Sequence, residues 1–240
     1  MNIPHQDRAM FTKVNEAVRD YMYKPSFDPS HDYEHIQRVV ANAYRIYTAE
    51  LARSPQELWI AKVNPVTVYL AAMMHDVGEP KYLLPGESQD GHVRDLLAHC
   101  GVPSELAQYI GAIVPRVSFT RENKLIEQGN NDQMFRDCEE YPELRIVQDS
   151  DRLDAMGLVG QARCFVYGGK YVQRLEQTMH MGVILQRVRF EKTVELMKTE
   201  TGRAEADVRW ARMLEFRRVY SLETDVSGVC DFEMEELESA

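Results

Sequence analysis

Cysteine is scarce in this 240-residue chain: Cys100, Cys138, Cys164 and Cys230 are scattered, with no close pair. That excludes a thiolate zinc framework of paired spacing and a disulfide-stapled fold, and a reducing compartment is expected. Long apolar runs are missing too, so no membrane span is expected. The polar opening residues hold no signal-peptide core, which points to the cytoplasm. Positive charge is in deficit, 28 Lys and Arg against 38 Asp and Glu, net −10. Such a surface repels nucleic acid polymers and anionic membranes, so neither is expected as a partner. A small anionic ligand remains open if the site itself is locally positive. There is no internal repeat and no period-two alternation that would mark strands.

What is present is helical periodicity within an ordinary globular balance, 44% hydrophobic and 28% charged. Phe11, Val14, Val18, Tyr21 and Met22 place one apolar stripe on a helix over 8–23. Pro25, Asp28 and Pro29 end it, and Ser30 or Asp32 can cap a helix running to about Arg53. Its inward residues are Ile36, Val39, Val40, Ala43, Ile46 and Tyr47, with His35 beside them. Asn64-Pro65 opens the next helix, Val66–Asp76, an apolar run that ends in His75-Asp76. A Gly-, Pro- and Glu-rich loop over 77–91 suits a site rim. Helices are expected over 92–99 and 104–115, a polar turn over 118–124, and solvated chain over 129–140. Leu144 to Leu158 reads as a buried helix that carries three aspartates in six residues, Asp149, Asp151 and Asp154. Residues 167–169 read as a loop, and 183–199 and 203–222 as two long helices. The expected architecture is all-α and single-domain. A helix within 1–25 packs on a bundle over 26–223, and an acidic tail over 224–240 is disordered.

Three separated helices therefore each present His or Asp from an apolar face: His35, then His75 with Asp76, then Asp149 or Asp151. Buried carboxylates beside buried imidazoles need a compensating partner. Two imidazoles and two carboxylates suit a divalent first-row metal, and helical bundles build such sites from facing helices.

These residues resemble the HD-domain metal-dependent phosphohydrolases, in particular an uncharacterised bacterial and fungal hydrolase branch. H-x-x-R-V at 35–39, A-A-x-x-H-D-x-G-E-x-K at 71–81, and D-x-D-R-L-D-A at 149–155 look like the family's successive motifs. The likeness extends into the C-terminal helices and covers about residues 26–223. A bare HD dipeptide is weak; the ordered set is specific. The resemblance implies one divalent ion (Mn, Fe, Co, Ni or Zn, with Mg also compatible) held by His35, His75, Asp76 and Asp151. Asp149 is the alternative last ligand. It also implies Glu79 as general acid or base, and Arg38 and Lys81 as phosphate contacts. The expected activity is hydrolysis of a small phosphorylated substrate, foremost a nucleotide, with release of phosphate or of pyrophosphate. Oligomerisation is compatible with it.

Other readings attach to single residues. A two-iron oxygenase of the same fold would recruit His92 and His99; a degenerate domain would bind nucleotide as a sensor. His31-Asp32 is a second HD dipeptide, expected mainly as a helix cap. His5 and His180 are expected in solvent, as are the charges of Arg121 and Lys124. Tyr167 is expected in the core or at the rim. Met73, Met74, Met156, Met179 and Met181 are expected in packing.

Overall fold

The computed structural model describes residues 3–24, 27, 29–54, 56–170 and 178–229. All regular structure among them is helical: α1 (Arg8–Met22), α2 (Tyr33–Arg53), α3 (Pro65–Met74), α4 (Gln89–His99), α5 (Ser104–Val117) and α6 (Phe119–Glu127), followed by α7 (Asn131–Glu140), α8 (Glu143–Asp154), α9 (Gly157–Lys170), α10 (Met179–Phe190) and α11 (Glu200–Glu223). No helix among the described residues is long and apolar enough to cross a membrane.

The centre is α3. Val68, Leu70, Ala71, Ala72, Met73 and Met74 are all buried, so this helix is apolar on every side and must be surrounded. Its neighbours do that: α2 and α8 pack on it and on each other, α5 closes another side, and α1 lays Phe11, Val14, Val18 and Met22 over the outside. Asn64 caps α3 by accepting from the Val66 amide (3.0 Å), with Pro65 in the first turn, and Asp32 caps α2 by accepting from the His35 amide (3.1 Å). One contiguous core results.

The structure departs from the sequence reading at several elements. The chain over 131–140 is helical rather than simply solvated, because α7 buries Asp137 and Cys138. Asp137 lies 3.2 Å from Arg116 and 2.7 Å from Arg121, so Arg121 is paired rather than solvated, while Lys124 is exposed. Residues 119–124 belong to α6 rather than to a turn. Gly168 and Gly169 lie inside α9, where packing against α10 and α11 outweighs the roughly 1 kcal/mol that each glycine costs a helix. The helix expected over 183–199 ends at Phe190; the chain leaves helical geometry after a short 3₁₀ turn, Glu191–Thr193, and re-enters it at Glu200. Met179 is exposed rather than packed, and His180 is half-buried against the Tyr220 ring. From residue 230 on, the expected tail lies outside the described residues.

The break before α11 has a visible cause. Asp149, fully buried on α8, accepts from the amides of Lys198 (2.9 Å) and Thr199 (2.8 Å) and from the Thr199 hydroxyl (2.7 Å). Burial pushes the Asp149 carboxyl up to about 6 against these donors. A Cβ at Gly202 would overlap the Asp149 carboxylate, so only glycine lets the first turn of α11 come this close. Beside it, buried Glu122 pairs with Arg152 through one oxygen and with Lys198 Nζ (2.6 Å) through the other, and Arg152 Nη1 donates to the Leu196 carbonyl (2.8 Å). Glu122 is the shared anion between buried Arg152 and part-buried Lys198. Glu122→Gln should therefore destabilise the fold by about 3–5 kcal/mol, because both cations would remain without it. Denaturant unfolding should show a lower midpoint at unchanged slope. A shift worth under about 1 kcal/mol would mean that water or Asp149 compensates them.

Candidate metal centre

His75 follows the last residue of α3, and Asp76 begins the turn. The turn closes at Gly78, whose φ of +67° is left-handed and whose added Cβ would come within 2.9 Å of the His92 side chain. The Gly78 amide donates to the Tyr21 hydroxyl (3.1 Å), and the Gln89 amide group donates to the carbonyls of His75 (3.0 Å) and Val77 (3.3 Å). Adjacent residues on a helix diverge by about 100°, so both reach one point because that point lies at the end of α3, where the chain turns away at Gly78.

That point lies between α2, the end of α3 and α8. His35 Nε2 and His75 Nε2 stand 3.1 Å apart. Asp76 Oδ2 is 3.4 Å from His35 Nε2, and Oδ1 is 3.4 Å from His75 Nε2. Asp151 Oδ1 is 3.4 Å from His35 Nε2 and 3.6 Å from His75 Nε2. Ligand atoms of His35, His75 and Asp151 lie within 4.8 Å of one another, the single group of that kind among the described residues. Both rings are buried, whereas the side chains of Asp76 and Asp151 are 14% and 26% exposed, so the site opens on the carboxylate side.

The far nitrogens fix the tautomers. His35 Nδ1 donates to Asp154 Oδ2 (2.7 Å) and His75 Nδ1 to the Ala72 carbonyl (2.9 Å). With Nδ1 donating on each ring, the two Nε2 atoms face each other at 3.1 Å, an arrangement that positive charge between them, a proton or a metal ion, makes favourable. Asp76 Oδ2, buried and without a hydrogen bond, is a second sign of the same need. Burial disfavours a charged His75, yet Asp76 and Asp151 outweigh it and raise the ring to about 9. Burial would likewise raise Asp151, but His35 and His75 hold it well below the usual carboxylate range. The cluster attracts positive charge, and its two imidazoles and two carboxylates fit a divalent first-row ion.

Asp149 faces the opposite side of α8 and is fully engaged with residues 198 and 199, so Asp151 is the acid this helix brings to His35 and His75. Glu79 sits at the rim, 3.0 Å from Lys81 Nζ. Burial and then the Asp76 charge raise the Glu79 carboxyl, with Lys81 opposing. His31 stands at the same edge, its ring 6.1 Å from that of His35 and 6.4 Å from that of Tyr167. Asp32, not His31, is the cap. His92 pairs with Glu87 (3.2 Å) and His99 is exposed; neither belongs to the ligand cluster. Arg38 is turned onto Asp154, Nε to Oδ1 (2.8 Å) and Nη2 to Oδ2 (3.2 Å). Asp154 stands in the D-x-D-R-L-D-A motif, but the resemblance assigns it no role. The available signal was spacing: Asp154 follows Asp151 as Arg38 follows His35, one helical turn on.

The sequence model of the HD domain matches residues 32–156, a span holding all four of these ligand candidates. The chain belongs to the HD domain family. Among curated proteins it is 31% identical over 222 residues to the uncharacterised protein YpgQ of Bacillus subtilis, covering 90% of this chain and 96% of YpgQ. The crystal structure of YpgQ in complex with ADP superposes with a TM-score of 0.60 at 23% identity, over 91% of this chain and 98% of YpgQ. An HD-superfamily hydrolase from Bacillus thuringiensis superposes at 0.61 with 26% identity, over 91% and 97% of the two chains. The all-α fold is thus that of HD-superfamily hydrolases.

Proposed function

We propose that this HD domain protein is a metal-dependent phosphohydrolase acting on a small phosphorylated substrate, foremost a nucleotide. The observation that carries the reading is the convergence of His35 and His75 Nε2 at 3.1 Å, flanked by Asp76 and Asp151. His35, His75, Asp76 and Asp151 would hold the ion. When bound, a divalent ion polarises a phosphoryl oxygen and lowers the pKa of water toward 7.

The chain's own residues supply the rest. Asp76 and Asp151 balance the ion's charge and leave the rim to other groups. Lys81, 35% exposed and tethered to Glu79, can turn its ammonium toward a phosphate entering from the carboxylate side. Glu79, raised by burial and by Asp76, is suited to take a proton from the attacking water or to return one to the leaving oxygen. Arg38, expected at phosphate, directs two of its N–H groups to Asp154. The ADP complex of YpgQ supports a nucleotide as substrate class for this chain. Phosphate and pyrophosphate release both fit this machinery.

The test is a panel of nucleoside mono-, di- and triphosphates with Mn²⁺, Co²⁺ and Mg²⁺, with phosphate and pyrophosphate read separately. Turnover of at least one class, lost on chelation and restored by added metal, is the expected result. Metal-loaded protein that hydrolyses nothing in the panel would overturn the nucleotide assignment.

A further inference from the structure

Two helices carry a ligand and a second charged residue one turn later: His35 and Arg38 on α2, Asp151 and Asp154 on α8. The four side chains cross. Asp154 Oδ2 accepts from His35 Nδ1 at 2.7 Å, Arg38 Nε reaches Asp154 Oδ1 at 2.8 Å and Arg38 Nη2 reaches Oδ2 at 3.2 Å. A third helix joins them, since Arg163 of α9 donates from Nη1 to Asp154 Oδ2 at 3.1 Å and from Nε to the Ser30 carbonyl at 2.8 Å. The arrangement ties the segment before α2 to the end of α8 around one imidazole.

We infer that Asp154, held by Arg38 and Arg163, sets the tautomer and angle of His35 for metal binding, and that Arg38 acts through Asp154 as a positioning residue instead of contacting substrate. The inference rests on the metal reading of the site but not on the substrate. Its physical basis is the contrast between the two imidazoles. His75 is held by a carbonyl of its own helix, which helix geometry keeps in place. His35 has no such local partner and depends on a carboxylate 119 positions away. Asp154 is 2% exposed, and a buried carboxylate is retained as an anion only beside compensating charge. Arg38 and Arg163 supply it, bonding to both of its oxygens. Arg38 bonds through two nitrogens, a geometry that lysine cannot reproduce. An anionic acceptor on Nδ1 also makes Nε2 a stronger donor to a metal.

The experiment is a Co²⁺ titration of the full chain, read by visible absorption, on wild type, Asp154→Asn and Arg38→Lys, with thermal melting of each metal-free protein alongside. Asp154→Asn should bind Co²⁺ roughly 10–100-fold more weakly, as loss of such a supporting partner does. At saturation its ligand-field band should move, because the His35 donor is changed; a merely structural role would leave the band in place. Arg38→Lys, at a position 34% exposed, should fold even if Asp154→Asn does not, and should weaken Co²⁺ binding in the same direction. Wild-type affinity and band in Asp154→Asn overturn the role of Asp154. Unchanged Co²⁺ affinity in Arg38→Lys overturns that of Arg38. Wild type that takes up no Co²⁺ overturns both inference and metal reading, whereas wild type that binds Co²⁺ without hydrolysing nucleotides fails only the latter's substrate.

Discussion

Asp76→Ala is expected to yield a protein that retains no divalent ion after desalting and turns over no substrate. Asp76 meets both rings through different oxygens, Oδ2 at 3.4 Å from His35 Nε2 and Oδ1 at 3.4 Å from His75 Nε2, whereas Asp151 approaches both through Oδ1 alone. Alanine would remove one of the two charges proposed to balance the ion and leave two imidazoles and one carboxylate. The effect should exceed the roughly 10–100-fold that follows loss of a mere supporting partner. Metal analysis of the purified protein gives the first readout, with about one ion per chain in wild type. Melting gives the second: an ion at 100 times its dissociation constant stabilises by about 2.7 kcal/mol, and Asp76→Ala should lose that shift. Full occupancy in the variant would remove Asp76 from the ligand set.

Glu79→Gln is expected to keep the ion and lose the rate. The side chain lies beyond the Gly78 turn at the open edge, 30% exposed and paired with Lys81. Glutamine keeps the size and an accepting carbonyl but cannot take a proton. General acid–base groups contribute about 10²–10⁴-fold, and single-turnover rate should fall by that factor. Metal content and substrate affinity should stay near wild type. Loss of metal would make Glu79 a ligand; an unchanged rate would make it a rim residue. Both are measured on one preparation, so the three outcomes separate cleanly.

The sequence by itself determined the helical class, because 3.6-residue apolar periodicity and an apolar run in every direction over α3 leave no other way to bury those side chains. It also determined the candidates, since His35, His75, Asp76 and Asp151 stand in motifs whose order and spacing are specific. Local chemistry marked the caps at Asp32 and Asn64. Tertiary structure decided what periodicity does not encode. Asp149 and Asp151 are two residues apart and chemically alike; only the packing of α8 between α3 and the start of α11 sends one to the imidazoles and the other to the amides of residues 198 and 199. The break between α10 and α11 follows from that same carboxylate, a contact 50 residues distant in sequence. The helix over 131–140 is polar by composition and gains its buried face from Arg116 and Arg121, which belong to other helices. Arg38, expected at phosphate, meets Asp154 for the same reason. A residue's partners are set by which helices touch, and a buried charge takes the nearest opposite charge that packing delivers.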